Sequence, residues 1–356
     1  SVQTRPDAYE IDLPEVPSPA DKPPFPWLAL LAPLVMGAAM FLVTRNPLSL
    51  LFVAMSPVLM IASYVGTVVD NKRKRSTERS NFDEAMAQAE ADIAAARDLE
   101  ATQLKRLYPS VSECVEAVLN RDPRLWCRRP EHPEFLQVRI GSGSVTALVA
   151  VKEPRRSGIA DLVSRQRALI EQTRLLPDVP IVADLRSVGG LGLAGEERWI
   201  AGVARGVVSQ LAALHSPAEV VLACLTSAAT KQQWAWLDWL PHSSSPHCPV
   251  PGPLLAADST RGRALLDQLD ELIAARGDES KGPTLRGPLD GQERTAAPVT
   301  PAVVLVVHDA AVATERIVSI AERGPDVGVH VLWVASSRGG VPAACRTYLD
   351  IRADGS

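Results

Sequence analysis

Two uncharged apolar stretches near the start of the sequence constrain the fold more than any other feature. Residues 25–44 and residues 48–69 contain no Asp, Glu, Lys or Arg. At about 1.5 Å per helical residue, each stretch is long enough to cross a hydrocarbon layer of about 30 Å. Only three residues separate them, so we expect an antiparallel hairpin of two transmembrane helices over residues 25–69.

The charges around these stretches indicate the orientation of such a hairpin. Four consecutive basic residues, 72–75, follow the second stretch, whereas Arg45 is the only charge between the two. Because positive charge concentrates on cytoplasmic flanks, we expect a multi-pass protein of the cell (inner) membrane with both termini in the cytoplasm. Residues 1–24 contain six prolines, five acidic and two basic residues, which predicts a disordered cytoplasmic tail.

A helical stalk is predicted over residues 70–108. No Gly or Pro occurs between residues 67 and 107, so the second apolar helix is expected to continue beyond the charged residues. Two interpretations remain open: the stalk packs against another subunit or the next domain, or it is a solvated spacer. Apolar residues recur along the stalk at alternating spacings of four and three and form one apolar stripe, which needs a surface to pack against. The stripe consists of Phe82, Met86, Ala89, Ile93 and Ala96.

Composition excludes several classes of protein. Of the 356 residues 46 % are hydrophobic and 22 % charged, which is typical of a globular chain and not of a disordered one. The net charge of −4 argues against a dedicated nucleic-acid binder. The five cysteines form no CxxC pair, which favours reduced thiols over a disulfide framework or a zinc ribbon. The sequence begins without Met, and we expect it to be part of a longer protein.

The remainder, residues 109–356, is predicted to form one α/β domain with a parallel sheet of the RecA or P-loop type. Short β-rich runs alternate with amphipathic helical patterns, as in parallel sheets. A polar, Gly- and Pro-rich segment at residues 277–300 predicts a flexible insertion. The predicted strands are residues 134–140, 181–185, 219–225, 303–307 and 329–335, and the predicted helices lie around residues 199–214, 265–273 and 314–323.

A degenerate phosphate-binding loop is predicted between the second of these strands and the first helix. A P-loop reads GxxxxGK[ST], with backbone N–H groups around the phosphates, a Lys that neutralises them and a hydroxyl that binds magnesium. Here Gly190, Gly192 and Gly195 fit, but Glu196 and Glu197 stand at the Lys and Ser/Thr positions. Their negative charges oppose phosphate, so we expect a nucleotide-binding fold that has lost hydrolysis. An ordinary Gly-rich turn is the alternative.

The magnesium-binding strand of an ATPase is degenerate as well. The strand at residues 303–307 is followed by His308 and Asp309 rather than by Asp-Glu, so one acid is present and the catalytic base is absent. We therefore predict no catalytic residue in this chain. His242, His247 and Cys248 match no standard metal spacing, and no metal site is predicted. His215, at the end of its helix, is interpreted as a residue that complements the helix dipole.

Several strings resemble the EccC family, the FtsK/SpoIIIE-type membrane ATPases of type VII (ESX) secretion systems. Residues 124–130 (RLWCRRP) and 132–141 (HPEFLQVRIG) are similar to the LWERRP and DFLxVRxG strings of the family, although Cys127 replaces its usual Glu. Residues 210–217 (QLAALHSP) and a Trp-rich run that ends at residues 239–242 (WLPH) match as well. The resemblance extends from residue 25 to the end of the sequence.

The resemblance implies a place in a secretion motor. It implies an anchoring and coupling segment with a degenerate ATPase-like domain, with ATP and magnesium bound only in downstream domains. It also implies the partners EccB, EccD and EccE, a hexameric assembly, no nucleic acid, and WXG100-type substrates that engage the absent domains. Two alternatives from other classes are the membrane portion of an FtsK/SpoIIIE-type DNA translocase and a domain that itself hydrolyses or senses nucleotide.

Overall fold

The structure, a computed structural model, describes residues 10–18, 27, 31, 35–36, 47–152, 158–280, 298–352 and 354. It divides into two compact units. Unit 1 is built from Ala101–Val145 and Pro177–Ser356, and unit 2 from Pro6–Glu100 and Thr146–Leu176. The boundary differs from the one predicted, because residues 146–176 belong with the predicted stalk and not with the α/β domain.

The strands and helices are numbered along the chain. The strands are β1 (Glu10–Ile11), β2 (Gln137–Thr146), β3 (Ala150–Val151), β4 (Leu175–Asp184), β5 (Gly190–Gly195), β6 (Val220–Thr226), β7 (Leu255–Ala256), β8 (Ala302–His308), β9 (Val329–Ala335) and β10 (Thr347–Ile351). The helices are α1 (Pro47–Leu107), α2 (Val111–Asn120), α3 (Ala160–Thr173), α4 (Glu197–Leu214), α5 (Lys231–Trp234), α6 (Ser259–Ser280) and α7 (Thr314–Arg323). Of the predicted insertion, residues 281–297 lie outside the described residues.

Unit 1 contains the predicted parallel α/β sheet, which is thereby confirmed. Six strands lie in the order β10-β5-β9-β8-β6-β7, and each neighbouring pair runs parallel. Every residue of β6 and β8 is buried, as expected for strands covered by helices on both faces. A separate two-stranded sheet pairs β2 with β4.

Alternate residues of the sheet pack on helices of opposite faces. On one face, Leu222 and Val304 join a core with Ile200 and Leu211 of α4. On the other face, residues of β6 and β8 join a core that includes Leu265 of α6. The chain thus sends α4 to one face and α6 and α7 to the other, because side chains of successive strand residues point to opposite faces.

In unit 2 the apolar stripe of the predicted stalk has its partner within the same chain. Phe82 and Met86 form a core cluster with Leu162 of α3. Ion pairs border this contact, with Arg165 of α3 2.9 Å from Asp83. The stripe is therefore covered by the chain itself, and neither a solvated spacer nor a separate subunit is needed to account for it. All five of its residues are buried: Phe82, Met86, Ala89, Ile93 and Ala96.

The segment 10–18 also belongs to unit 2. Strand β1 pairs parallel with β3, and Leu13 and Val16 pack against the core cluster around Met86. The Gln166 side-chain amide donates a 2.7 Å hydrogen bond to the Pro14 carbonyl. Disorder was predicted for residues 1–24. Residues 10–18 are ordered instead, because Leu13 and Val16 pack against the core cluster and the Pro14 carbonyl accepts a hydrogen bond from Gln166 of α3.

The predicted transmembrane hairpin is wrong. Within the part of the chain that the structure describes, no helix combines the length and the apolar character needed to cross a membrane. The second apolar stretch is the start of α1, which becomes strongly charged from Asp70 onward, and most of residues 25–44 lie outside the described residues. The predicted multi-pass localisation in the cell membrane is contradicted together with the hairpin.

Candidate functional site

The carboxyl edge of the parallel sheet is the place where the fold can build a site. In open α/β sheets, ligands bind outside the carboxyl ends of the strands, where successive connections leave toward opposite faces. Here α4 leaves β5 toward one face, and α7 lies on the other face between β8 and β9. The ends of β5 and β8, with β9 between them, therefore form the candidate crevice.

The Gly-rich string is the strand itself and not a loop. Gly190–Gly195 forms β5, paired with β9 on one side and β10 on the other, whereas the predicted strand 181–185 falls mostly in β4 of another sheet. The glycines admit close neighbours. A Cβ atom on Gly192 would collide with Val341, and one on Gly195 with the Ile351 carbonyl. Close strand packing, not phosphate binding, explains these glycines.

Gly195 provides a direct test of this explanation. Its φ of +141° is a region that L side chains rarely adopt, so Gly195→Ala should lower the free energy of unfolding by about 1–3 kcal/mol. Gly202→Ala is the matched control, because a Cβ there meets nothing within 4 Å and helix propensity favours Ala by up to about 1 kcal/mol. Urea denaturation of both variants gives the comparison. Equal stabilities would contradict the packing role.

The connection from β5 to α4 leaves no room for a phosphate-binding loop. Strand β5 ends at Gly195 and α4 begins at Glu197, so Glu196 alone connects them. The Glu196 carboxylate lies 3.1 Å from the Arg198 guanidinium. Several consecutive backbone N–H groups are needed to surround a phosphate, and a single connecting residue does not supply them.

The two positions that correspond to the ATPase landmarks do meet in space. His308, the last residue of β8, has its Nε2 3.1 Å from Glu197 Oε1. Its Nδ1 accepts a 2.9 Å hydrogen bond from the indole N–H of Trp234, so the proton of the neutral ring resides on Nε2 and is donated to Glu197. Trp234 is fully buried. The three side chains form one hydrogen-bonded chain from Trp234 through His308 to Glu197 at the start of α4.

Sequence reasoning located Glu197 and His308 but missed the residue that joins them. The Trp-rich run that ends at residues 239–242 was the available signal, but its spacing does not show which Trp is buried. Helix α5 ends at Trp234 and a 3₁₀ helix follows over Ala235–Trp239. Trp234 is thereby buried, while Trp239 is 89 % exposed.

Asp309, the remaining acid at the edge, is engaged by a hydroxyl. Its carboxylate accepts a 2.6 Å hydrogen bond from Ser227 Oγ, which follows β6, and its backbone has a φ of +52°. Thr226 and Thr230 hydroxyls lie 2.6 Å apart beside it. The described residues contain no group of three or more His, Cys, Asp or Glu side chains suited to a metal ion. The Ser227–Asp309 contact joins the segments that follow β6 and β8.

His215 is a buried packing residue rather than an exposed complement to the helix dipole. Its Nε2 accepts a hydrogen bond of 3.1 Å from the Leu136 N–H, and the ring lies edge-on to Phe135. Burial, followed by the positive charge of Arg128, lowers the pKa of His215 to about 3. The Nε2–H of His242 donates a hydrogen bond to the His215 carbonyl over 2.8 Å. The two rings connect α4 to the segments on either side of it.

Comparison with known proteins finds EccC proteins of ESX secretion systems among the relatives of this chain. No family model matches the chain. EccC of Geobacillus thermodenitrificans is 24 % identical over 325 residues, which is 88 % of this chain and 21 % of the relative. EccC of Thermomonospora curvata is 28 % identical over 226 residues, 60 % of this chain and 17 % of the relative. EccC4 of Mycobacterium tuberculosis is 29 % identical over 228 residues, 61 % and 18 % respectively.

The chain spans about a fifth of the length of these relatives. Among solved structures, the cytoplasmic domain of the Thermomonospora curvata type VII secretion ATPase EccC aligns with 49 % of this chain and 21 % of that one, at a TM-score of 0.37 and 23 % identity. EssC (ATPases 2 and 3) of Geobacillus thermodenitrificans aligns with 63 % and 37 %, at a TM-score of 0.39 and 13 % identity. The sequence relatives confirm the resemblance to EccC.

Proposed function

We propose that this chain, which is similar to EccC proteins of ESX secretion systems, is a coupling part of a type VII secretion motor. In this proposal the chain does not itself hydrolyse ATP. The observation that carries the proposal is the similarity to EccC of Geobacillus thermodenitrificans over 88 % of the chain. In this proposal the ATP that is hydrolysed, and its magnesium, bind in domains of the whole protein that lie outside these residues.

The wider assembly is part of the same proposal. The motor acts with EccB, EccD and EccE, contains six copies of the chain, and exports WXG100-type proteins that contact other domains. The names of the relatives, which place them in ESX secretion systems, support this context. A role in protein export also agrees with the net charge of −4, which does not favour DNA as the substrate.

The geometry of the crevice supports the absence of hydrolysis. Glu197 places a negative charge at the start of α4, where the helix dipole would otherwise attract phosphate, and His308 donates to that carboxylate. The acid that would hold magnesium, Asp309, is bonded to Ser227. Hydrolysis needs a cation, a metal site and a water-positioning base together, and these contacts provide none of them.

Restoring the side chains of a P-loop is therefore expected to leave the chain inactive. Glu196→Lys combined with Glu197→Thr supplies the missing cation and hydroxyl but not the missing loop, since Glu196 alone joins β5 to α4. Phosphate release from Mg-ATP by the double variant should stay at the background of the unmodified chain. Turnover above that background would mean that side-chain chemistry alone prevents hydrolysis here.

Export in the native host tests the function itself. Deletion of residues 1–356 from the protein encoded on the chromosome should abolish the appearance of WXG100-type proteins in the culture filtrate. A plasmid that encodes the whole protein should restore their export. The Glu196→Lys, Glu197→Thr protein should restore export as well, provided that it accumulates to the same level. Export without this segment would overturn the proposal.

A further inference from the structure

Unit 1 also contains a cavity that lies away from the crevice between β5 and β8. It has a volume of about 870 Å³ and is bordered by the end of α1, the start of α2 and residues 123–134. Leu214, the last residue of α4, also lines it, whereas Glu197 of the crevice is the first residue of that helix. Since α4 has 18 residues, about 1.5 Å of rise per residue separates the two places by roughly 25 Å.

Two buried and oppositely charged side chains line this cavity. Arg128 is 6 % exposed and Glu134 5 % exposed. The Arg128 guanidinium donates to the carbonyls of Gln137 and Leu107 and lies over the Tyr108 ring. These two bonds use only part of its five N–H donors.

The Glu134 carboxylate has no partner among the described residues. No side-chain hydrogen bond or ion pair within 4.0 Å joins it to any of them, and Arg128 is not within that distance either. Buried charges in proteins are paired, bonded or used for binding. An unbonded carboxylate in the wall of a large cavity therefore points to a ligand that brings hydrogen-bond donors.

The basic side chains that line the cavity indicate that the ligand also carries a negatively charged group. Burial lowers the pKa of the Arg128 guanidinium, and the nearby Glu134 offsets this only in part. Of the exposed cations at the walls, Lys105 pairs with Asp178 at 2.8 Å and Arg124 with Asp122 at 3.0 Å. Arg106 has no ion pair with the described residues. Arg106 and Arg128 are thus available to an anion.

We propose that this cavity binds a small phosphorylated ligand that also carries hydroxyl or amino donors. The phosphate interacts with Arg106 and Arg128, and the donors bond to the Glu134 carboxylate. The volume lies within the range of about 300–1,000 Å³ that small-molecule sites occupy. Nucleotides and sugar phosphates share this chemistry, and the site is independent of the crevice and of ATP hydrolysis.

Isothermal titration calorimetry of the whole chain with ATP, ribose 5-phosphate and pyrophosphate tests the proposal. We expect saturable 1:1 binding of ATP, of ribose 5-phosphate, or of both, which separates a nucleotide site from a sugar-phosphate site. Pyrophosphate, which lacks the donors, should bind at least about tenfold more weakly than the better of the two, as for loss of a charged hydrogen bond.

Two mild variants and one control complete the test. Arg106→Ser and Glu134→Gln should each weaken that binding at least about tenfold. Arg167→Ser, an exposed change on α3 of unit 2 with the same loss of charge, should leave it unchanged. Circular dichroism establishes that each variant is folded. No binding of either donor-bearing probe, or binding indifferent to Arg106→Ser and Glu134→Gln, would overturn the site. The export and hydrolysis assays are unaffected by either result.

Discussion

Met86→Asp should unfold unit 2 while the parallel sheet of unit 1 remains folded. Met86 is completely buried, in contact with the core cluster that includes Phe82 and Leu162. The substitution removes an apolar side chain and buries a carboxylate without a partner, so we expect a loss of about 4–5 kcal/mol or more. We expect the effect to be local because the stripe on α1 packs against α3 within unit 2.

Hydrogen exchange read by mass spectrometry distinguishes the two units. Peptides from α3 should lose protection in Met86→Asp, whereas peptides from β6 and β8 should keep it. Ala85→Asp is the matched control, because Ala85 is exposed one residue away on the same helix and reports the helix propensity and charge alone. Protection of α3 equal to that of the unmodified chain would show that the stripe is not held by α3.

Acid should destabilise unit 1 through buried imidazoles, of which His215 and His330 have the lowest pKa values and His242 also has a pKa lowered by burial. Burial lowers the pKa of His215 to about 3 and that of His330 to about 4, against about 6.5 in an unfolded chain. The unfolded state therefore binds more protons than the folded state between those values. The stability is complete above about pH 6.5 and is lost as the pH falls toward 4, by up to about 1.4 kcal/mol per pH unit for each imidazole.

Urea denaturation between pH 7 and pH 4.5 measures this slope. His330→Gln removes one of these titrations, so its free energy of unfolding should fall less steeply with acid than that of the unmodified chain. His247→Gln is the control, because His247 is exposed and should not change the slope. Parallel pH curves for all three proteins would contradict the assignment of the acid sensitivity to His330.

Periodicity was sufficient to find most of unit 1. The strand predicted at residues 329–335 is β9 and the helix predicted at 314–323 is α7, with the same bounds. In both elements the apolar residues follow the period of the secondary structure, so the sequence shows which face is buried. The predicted strand at 303–307 is likewise contained in β8.

The glycines of β5 show where such reasoning fails. A string with glycines five residues apart reads as a loop, because glycine is rare in strand interiors. What makes it a strand is the close approach of Val341 and Ile351, residues about 150 positions further along, and no local pattern contains that information. The contact between Glu197 and His308 was missed for the same reason, since it depends on how β9 separates their strands.

The interleaving of the two units along the chain sets an order of events at the ribosome. Synthesis completes unit 2 at Leu176, before Gly190, the first residue of the six-stranded sheet, has been made. Domains fold as units during synthesis, so α1 and α3 can associate while Ala101–Val145 is still without its partners. We expect a nascent chain of which residues up to Leu176 have emerged to protect Met86 from protease before α4 leaves the ribosome.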